Sequence, residues 1–395
     1  MKKFFKPIKR PRVALMVESS RAYGRDILSG IAKFIRENNS WTVFFQDLNL
    51  CDETPGWLKD WKGEGIITRL ENDEILSVIQ GLKLPTVFLR RVNLDAKMPS
   101  ILTDNAAVSR LCYEHLKERG FHHFAFCGFN GADYSDERQD EFFRLVTGDG
   151  LPCHVYVRGH PLKTNTAKYE MLGMNDGVRV AEWLRQLPKP VGLMACNDMR
   201  GQQVLDACRA AGVSVPEEVA VLGVDNDEVV CNLSDPPLSS VLPNAEQVGY
   251  EAAMLLSEMM AGKKVLQTEI FIAPTRIISR RSTEILAIED RRVAMAVRFI
   301  REHACEGIGV NDILRVVPIS GSWLNQRFRK ILGRSPKEEI QRVRLQRAAA
   351  LLCDTDWPVK RISAEVGFDD PFHFSRVFKK AYKHSPSRHR QKSNP

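Results

Sequence analysis

From Arg12 to about Thr283 the chain alternates short apolar runs with longer stretches in which apolar residues recur every three or four positions. The runs "VALMVE" (13–18), "TVFFQDL" (42–48), "GIIT" (65–68) and "TVFLR" (86–90) predict strands. So do "FAFCGF" (124–129), "HVYVR" (154–158), "VGLMAC" (191–196) and "VAVLGVD" (219–225). They lack in–out alternation, the mark of parallel strands covered on both faces. The intervening stretches read as helices: "GRDILSGIAKFIREN" places Ile27, Ile31, Phe34 and Ile35 on one face. Strand–helix alternation over about 270 residues is more than one sheet usually carries, so two α/β lobes are expected. The chain is expected to cross between them after "ILTDN" (101–105) and at "LSSVLPN" (238–244), where Pro236, Pro237 and Pro243 punctuate the second crossing. A helix over about 245–262 then leads to "EIFIAPTRIISRRS".

Past a short linker at 284–290 the pattern becomes wholly helical, with clear caps. "VNDILRVVPISGSWLNQRFRKILGRSP" (310–336) is echoed by "VKRISAEVGFDDPFHFSRVFKKAYKHSP" (359–386). Phe328-Arg329-Lys330 answers Phe378-Lys379-Lys380 at an offset of 50, and Ser335-Pro336 answers Ser385-Pro386. Ser335-Pro336 with Glu338 reads as a capping box, and Asp370-Pro371 as a second helix start. In each copy a short helix and a tight turn precede a second helix, the helix-turn-helix order, and a long helix from about Pro336 to Cys353 joins the copies. Leu324, Phe328 and Ile331 form the apolar stripe of one second helix; Phe374, Phe378 and Ala381 form the other. Ser322, Asn325, Gln326 and Arg329 take the opposite face of the first. Phe372, Ser375, Arg376 and Lys379 take the matching positions of the second. Such polar groups reach base edges and phosphates.

Charge placement sharpens this reading. Residues 290–395 hold 22 Lys/Arg against 11 Asp/Glu, whereas the preceding 289 residues hold 35 against 38. A basic module on a slightly acidic body points to a polyanion at one end. No apolar run approaches a membrane span. The basic N-terminus has no apolar segment and cleavage site after it, so no signal peptide is read. The nine cysteines include no C-x-x-C pair and read as reduced thiols of a cytoplasmic protein. His122 and His123 would point to opposite faces of a strand, so no metal site is expected, and no cofactor.

"ISAEVGFDDPFHFSRVFKKAYKHSPSRHR" resembles the signature of AraC-type transcription regulators, matching at Ile362, Gly367, Phe368, Asp370, Phe374, Arg376, Phe378, Lys379, Ser385, Pro386 and Arg390. His389 stands where that family usually has Tyr. "LMVESSRAYGRDILSGI", "CNDMRGQQVLDACRAAGVSVPEEVAVLGVDNDE" and "PPLSSVLPNAEQVGYEAAMLL" resemble the effector domain of LacI-type repressors, itself similar to periplasmic sugar-binding proteins. A LacI-like sensor ahead of an AraC-type reader is the architecture of xylose-operon activators. The resemblance implies a two-lobed α/β sensor (1–283), a linker (284–290) and an all-α double helix-turn-helix domain (291–395). No LacI-type DNA-binding headpiece is read before Val13.

The resemblance further implies a sugar-responsive activator that binds a double-stranded DNA operator, takes D-xylose or another pentose, forms a homodimer and works with RNA polymerase. Its sugar-site candidates are Asp104, Arg138, Asn197 and Asp225, with Ser19, Ser20 and Tyr23 after the first strand. Asp104, Asn197 and Asp225 fall at strand carboxyl ends, where open α/β sheets bind ligands. Two other classes remain open here. Cys127, between a strand and Gly128, has the position of a hydrolase nucleophile, with His122 or His160 as candidate base. A transport-type sugar receptor is opposed by the basic tail and the lack of a signal peptide.

Overall fold

The computed structural model describes residues 10–38, 41–46, 54–69, 73–91, 98–157, 176–265, 268–285 and 290–393. Its contacts divide the chain into two units, 1–285 and 286–395. His160 and most of the expected linker lie outside the described residues.

The first unit carries two six-stranded sheets among its described residues. One contains β1 (Arg12–Met16), β2 (Thr42–Phe45), β3 (Gly65–Thr68), β4 (Thr86–Phe88), β5 (Ser100–Thr103) and β11 (Glu269–Ile272), all parallel, in the order β11-β5-β4-β3-β1-β2. The other contains β6 (His123–Cys127), β7 (Cys153–Tyr156), β8 (Val191–Ala195), β9 (Val219–Val224), β10 (Ser239–Leu242) and β12 (Arg276–Ile278), in the order β12-β10-β9-β8-β6-β7. Only β12 runs antiparallel to its neighbour among these pairs. The eight expected strands are present, shortened at their ends. Ser100–Thr103 is a strand that ends where the first crossing begins, and Ser239–Leu242, read from sequence as part of the second crossing, is a strand that ends at it. A third passage, between β11 and β12, was not expected.

Uninterrupted apolar runs form the central strands because both faces are covered. Val13 and Leu15 pack with α1 (Ala22–Asn38) and α8 (Ala245–Met260), while Ala14 and Met16 pack on the opposite side with α2 (Asp73–Leu82). Helices α1 and α8 meet almost backbone to backbone. A Cβ on Gly30 would stand 1.9 Å from the Glu246 carbonyl oxygen, and one on Gly249 would stand 2.0 Å from that of Ile27. Any side chain at either position would force the helices apart. In the second lobe α3 (Asn105–Lys117), α4 (Asp133–Gly148), α5 (Gly177–Gln186), α6 (Asp198–Ala211) and α7 (Glu228–Leu233) surround the sheet. Asp104, Asn197 and Asp227 cap α3, α6 and α7 through their side chains.

The second unit is α9 (Arg291–His303), α10 (Val310–Val316), α11 (Gly321–Leu332), α12 (Pro336–Asp354), α13 (Val359–Glu365), α14 (Pro371–Tyr382) and α15 (Pro386–Ser393). Each copy of the repeat has its own core. Leu324, Phe328 and Leu332 pack with Ile313 and Val317; Phe374 and Phe378 pack with Ile362 and Val366. Helix α12 serves both, with Ile340 in the first core and Leu345, Ala348 and Leu352 in the second. The stripe of α11 therefore ends on Leu332, with Ile331 half-buried beside it, and Ala381 is exposed. The copies share their punctuation as well. Gly333 and Lys383, fifty residues apart, both take the left-handed conformation that ends a helix. Ser335 and Glu338 form the expected capping box.

Candidate functional site

Because the first unit's strands are nearly all parallel, their carboxyl ends gather at one edge of each sheet, and the two edges enclose a cleft. Tyr23, Arg69, Arg90, Arg91 and Thr103 enter it from the first sheet, and Tyr134, Glu137, Arg138, Asn197 and Asp225 from the second. Leu89 and Leu102 add apolar surface. The cleft holds about 100 Å³, room for about three waters at their share of liquid volume, so only a small ligand fits it.

Four of the seven expected residues line it. The Tyr23 hydroxyl lies 2.6 Å from Thr103 Oγ1, and the Arg69 guanidinium stands 4.7 Å from the Tyr23 ring centroid. Burial raises the Tyr23 pKa, so the phenol stays protonated. Arg69 is itself ion-paired with Glu18, a fully buried carboxylate at the end of the first strand run. Arg138, 4% exposed, donates from Nε to Asn105 Oδ1 at 2.8 Å and from its terminal nitrogen to the Cys196 carbonyl, with Tyr134 beneath it at 5.2 Å. A guanidinium so held presents a fixed fork rather than a mobile charge. Asn197 both caps α6, accepting from Arg200 N at 2.9 Å, and donates to the Tyr134 hydroxyl at 3.2 Å.

Asp225 follows β9 at φ 109° and Asn226 at φ 48°, a left-handed pair that turns the loop sharply toward the cleft. Behind it lies Asp198, 2% exposed, which accepts from Ser240 Oγ at 2.6 Å and Asp227 N at 2.7 Å. Burial, and next the Asp225 carboxylate, push its pKa up to about 8. A neutral Asp198 spares Asp225 a second buried negative charge.

Ser19, Ser20 and Asp104 are not among the lining residues. Ser19 accepts through its carbonyl from Arg25 at 3.0 Å, Ser20 is exposed, and the Asp104 carboxylate is engaged by Ala107 N at 2.9 Å. Asp104's neighbours Thr103 and Asn105 face the cleft instead. Sequence reasoning passed over Arg69, Arg90 and Arg91, although Arg69 and Arg91 directly follow expected strands and Arg90 ends one. Examining every strand end by the same rule would have found them.

In the helical unit Ser322, Asn325, Gln326 and Arg329 are exposed on α11; Arg376 and Lys379 are exposed on α14, and Ser375 is half-buried. Phe372 is 86% exposed, an apolar ring kept in water at the start of α14. Both helices thus present the expected face. Trp323 on α11 lies between two cations, Arg292 at 4.2 Å and Arg327 at 5.4 Å, and Asp290, which caps α9, pairs with Arg327 at 3.7 Å. Arg390 of the family signature is structural here, donating to the Leu352 carbonyl at 3.2 Å; His389 packs edge-on against Phe378 at 5.4 Å, where the family's tyrosine would sit.

Cys127 is fully buried within the second lobe's core, and burial raises its thiol pKa even beside Arg200. It is the last residue of β6 rather than the tip of an exposed turn, and such a protonated, enclosed thiol is no nucleophile. Among the described residues no helix is long and apolar enough to cross a membrane, and no cluster of His, Cys, Asp or Glu is placed to hold a metal ion.

Residues 12–106 match the XylR N-terminal domain, 113–283 a periplasmic binding protein-like domain and 313–392 a helix-turn-helix domain. The chain is 32% identical over 391 residues to the xylose operon regulatory protein of Escherichia coli K12, covering 97% of each. It is 30% identical over 387 residues to that of Haemophilus influenzae, covering 96% of this chain and 98% of the relative. A solved structure of the xylose-binding transcription activator XylR matches with a TM-score of 0.78 at 31% identity, covering 98% of this chain and 99% of that one. A two-lobed sensor cleft, a duplicated helix-turn-helix reader and likeness over the full length agree: the chain belongs to the family of xylose operon regulatory proteins.

Proposed function

We propose that this protein is a cytoplasmic transcription activator that binds D-xylose in the interlobe cleft and reads its operator as a homodimer. The observation that carries the sugar reading is the make-up of the cleft. Held cations and carboxylates share it: Arg138 and Asp225 both line it, and Arg91 pairs with Glu137. Such a lining offers planar donors and acceptors to vicinal hydroxyls. Two arginines that line it, Arg69 and Arg91, already have carboxylate partners. So small a volume disfavours an oligosaccharide.

The reader half follows from α11 and α14. Each presents exposed polar groups opposite a buried stripe, so each can lie in a major-groove segment about one helical turn from the other. A dimer would then need two such sites in fixed spacing, and RNA polymerase is the partner through which an activator acts. The protein is not an enzyme; the Cys127 environment leaves no catalytic nucleophile there.

A thermal-shift series on the full chain with D-xylose, L-arabinose, D-ribose and D-glucose tests the effector. A ligand present at a hundredfold excess over Kd adds about 2.7 kcal/mol of stability. D-xylose should give the largest shift; a larger shift with another sugar would transfer the assignment to that sugar.

A further inference from the structure

Glu137 stands where the two lobes meet. Its Oε1 pairs with Arg91, just past β4 in the first lobe, and Arg91 is also held by Glu269 of β11, Nε to Oε1, at 3.2 Å. Its Oε2 accepts from Asn105 Nδ2 at 2.8 Å. An asparagine amide has one donor end and one acceptor end, so committing the donor to Glu137 turns the carbonyl oxygen the other way. There it accepts from Arg138 Nε at 2.8 Å, and Arg138 reaches on to the Cys196 carbonyl after β8. An unbroken chain, Glu269–Arg91–Glu137–Asn105–Arg138, thus runs from one sheet's edge to the other's. Burial opposes the charge on Arg91, yet the carboxylates, Glu137 foremost, outweigh it and raise the guanidinium pKa. The pair is 39% and 33% exposed, open enough to part and re-form in solvent.

We propose that Glu137 is a positioning residue that joins two events in one: it latches the lobes together through Arg91 and, through Asn105, aims Arg138 into the cleft. The inference rests on the reading that a pentose binds between the lobes. Its consequence is unusual for an uncharged ligand. A neutral sugar brings no net charge to its own contacts, so salt weakens its binding chiefly through ion pairs that form between protein groups on closure. A partly exposed pair that forms only in the closed state makes affinity depend on salt by roughly two- to fivefold between about 0.05 M and about 1 M NaCl.

The test is calorimetric titration of the full-length protein with D-xylose at both salt concentrations, for wild type, Arg91→Gln, Glu137→Gln and Glu137→Ala. Wild type should lose affinity two- to fivefold in high salt. Arg91→Gln and Glu137→Gln should bind at low salt about as weakly as wild type does at high salt, with no further salt effect. Glutamine keeps an acceptor for Asn105 whereas alanine does not, so Glu137→Ala should be equally insensitive to salt but weaker still, by fivefold or more. Wild-type binding that is flat in salt, or a Gln variant that keeps the wild-type dependence, overturns the latch. Equal affinities for Glu137→Gln and Glu137→Ala overturn the aiming role. A wild type that gives no D-xylose binding at either salt overturns the sugar reading itself, and this inference with it.

Discussion

Asp225→Asn should weaken sugar binding and strengthen the empty protein at once. Asparagine tolerates φ 109° about as well as aspartate, so the loop after β9 keeps its shape. What changes is charge. A hydrogen bond to a charged group is worth about 1.5–3 kcal/mol and a neutral one about 0.5–1.5, so the loss to a bound sugar is about 1–1.5 kcal/mol, roughly five- to thirteenfold in Kd. The opposite effect comes from Asp198, whose pKa burial and then Asp225 raise from 3.8 to about 8. A folded pKa above the unfolded value means stability that is fully present below about pH 3.8 and lost as pH rises through about 8. Removing the Asp225 charge lowers the upper end of that window. At pH 8 the sugar-free variant should therefore gain stability, and the gain should vanish near pH 4. Calorimetric titration with D-xylose and sugar-free denaturant unfolding at pH 4, 6 and 8 measure the two halves. Unchanged affinity would remove the carboxylate from the sugar contact, and a loss of stability at pH 8 would refute the repulsion.

On α14, Arg376→Ala should cost about 1–3 kcal/mol on a DNA site selected by the wild-type protein and relax base preference there. Lys379→Ala should weaken all sequences alike and lower the salt slope by about one; gel shifts on selected and random duplexes separate them. His115, held at about 3 by burial and then by Arg119, contributes stability above about pH 6.5 that is lost as pH falls toward 3. His115→Gln, which can keep the bond to Thr283 (2.9 Å in the wild type), should flatten that decline by about 1.4 kcal/mol per pH unit in denaturant unfolding. A flexible Gly/Ser insertion of about ten residues after Ile288, outside the described residues, should keep sugar affinity but abolish the sugar's effect on DNA affinity. Full coupling in that variant would favour altered dimer assembly over a mechanical link.

What the sequence disclosed, and what it hid, divides by how far a residue's partner lies along the chain. Ser335 with Glu338, Asp370 with the amides of Phe372 and His373, and Leu324 with Phe328 all meet within about a turn of helix, so spacing alone reveals them. The stripe failed only at its end, where the phase chose Leu332 over Ile331 by one residue. Parallel strands such as Ala14–Met16 were legible because burial on both faces leaves an unbroken apolar run. Glu269–Ile272 and Arg276–Ile278, half-exposed strands at sheet edges, were not read as strands, and the third passage between the lobes was lost with them. The cleft is the extreme case. A strand end does not say which of its residues turn inward, and at 103–105 a helix cap claimed Asp104 while Thr103 and Asn105 face the cleft. Arg69 meets Glu18 across 51 positions, Arg91 meets Glu137 across 46 and Arg138 meets Asn105 across 33. No periodicity spans such distances: Arg69 and Glu18 meet at neighbouring strand ends of one sheet, Arg138 and Asn105 across two helices, and Arg91 and Glu137 only once the two carboxyl edges face each other. A site built from such contacts is bound to depend on how the lobes are placed, and a ligand that selects one placement can be felt beyond the cleft.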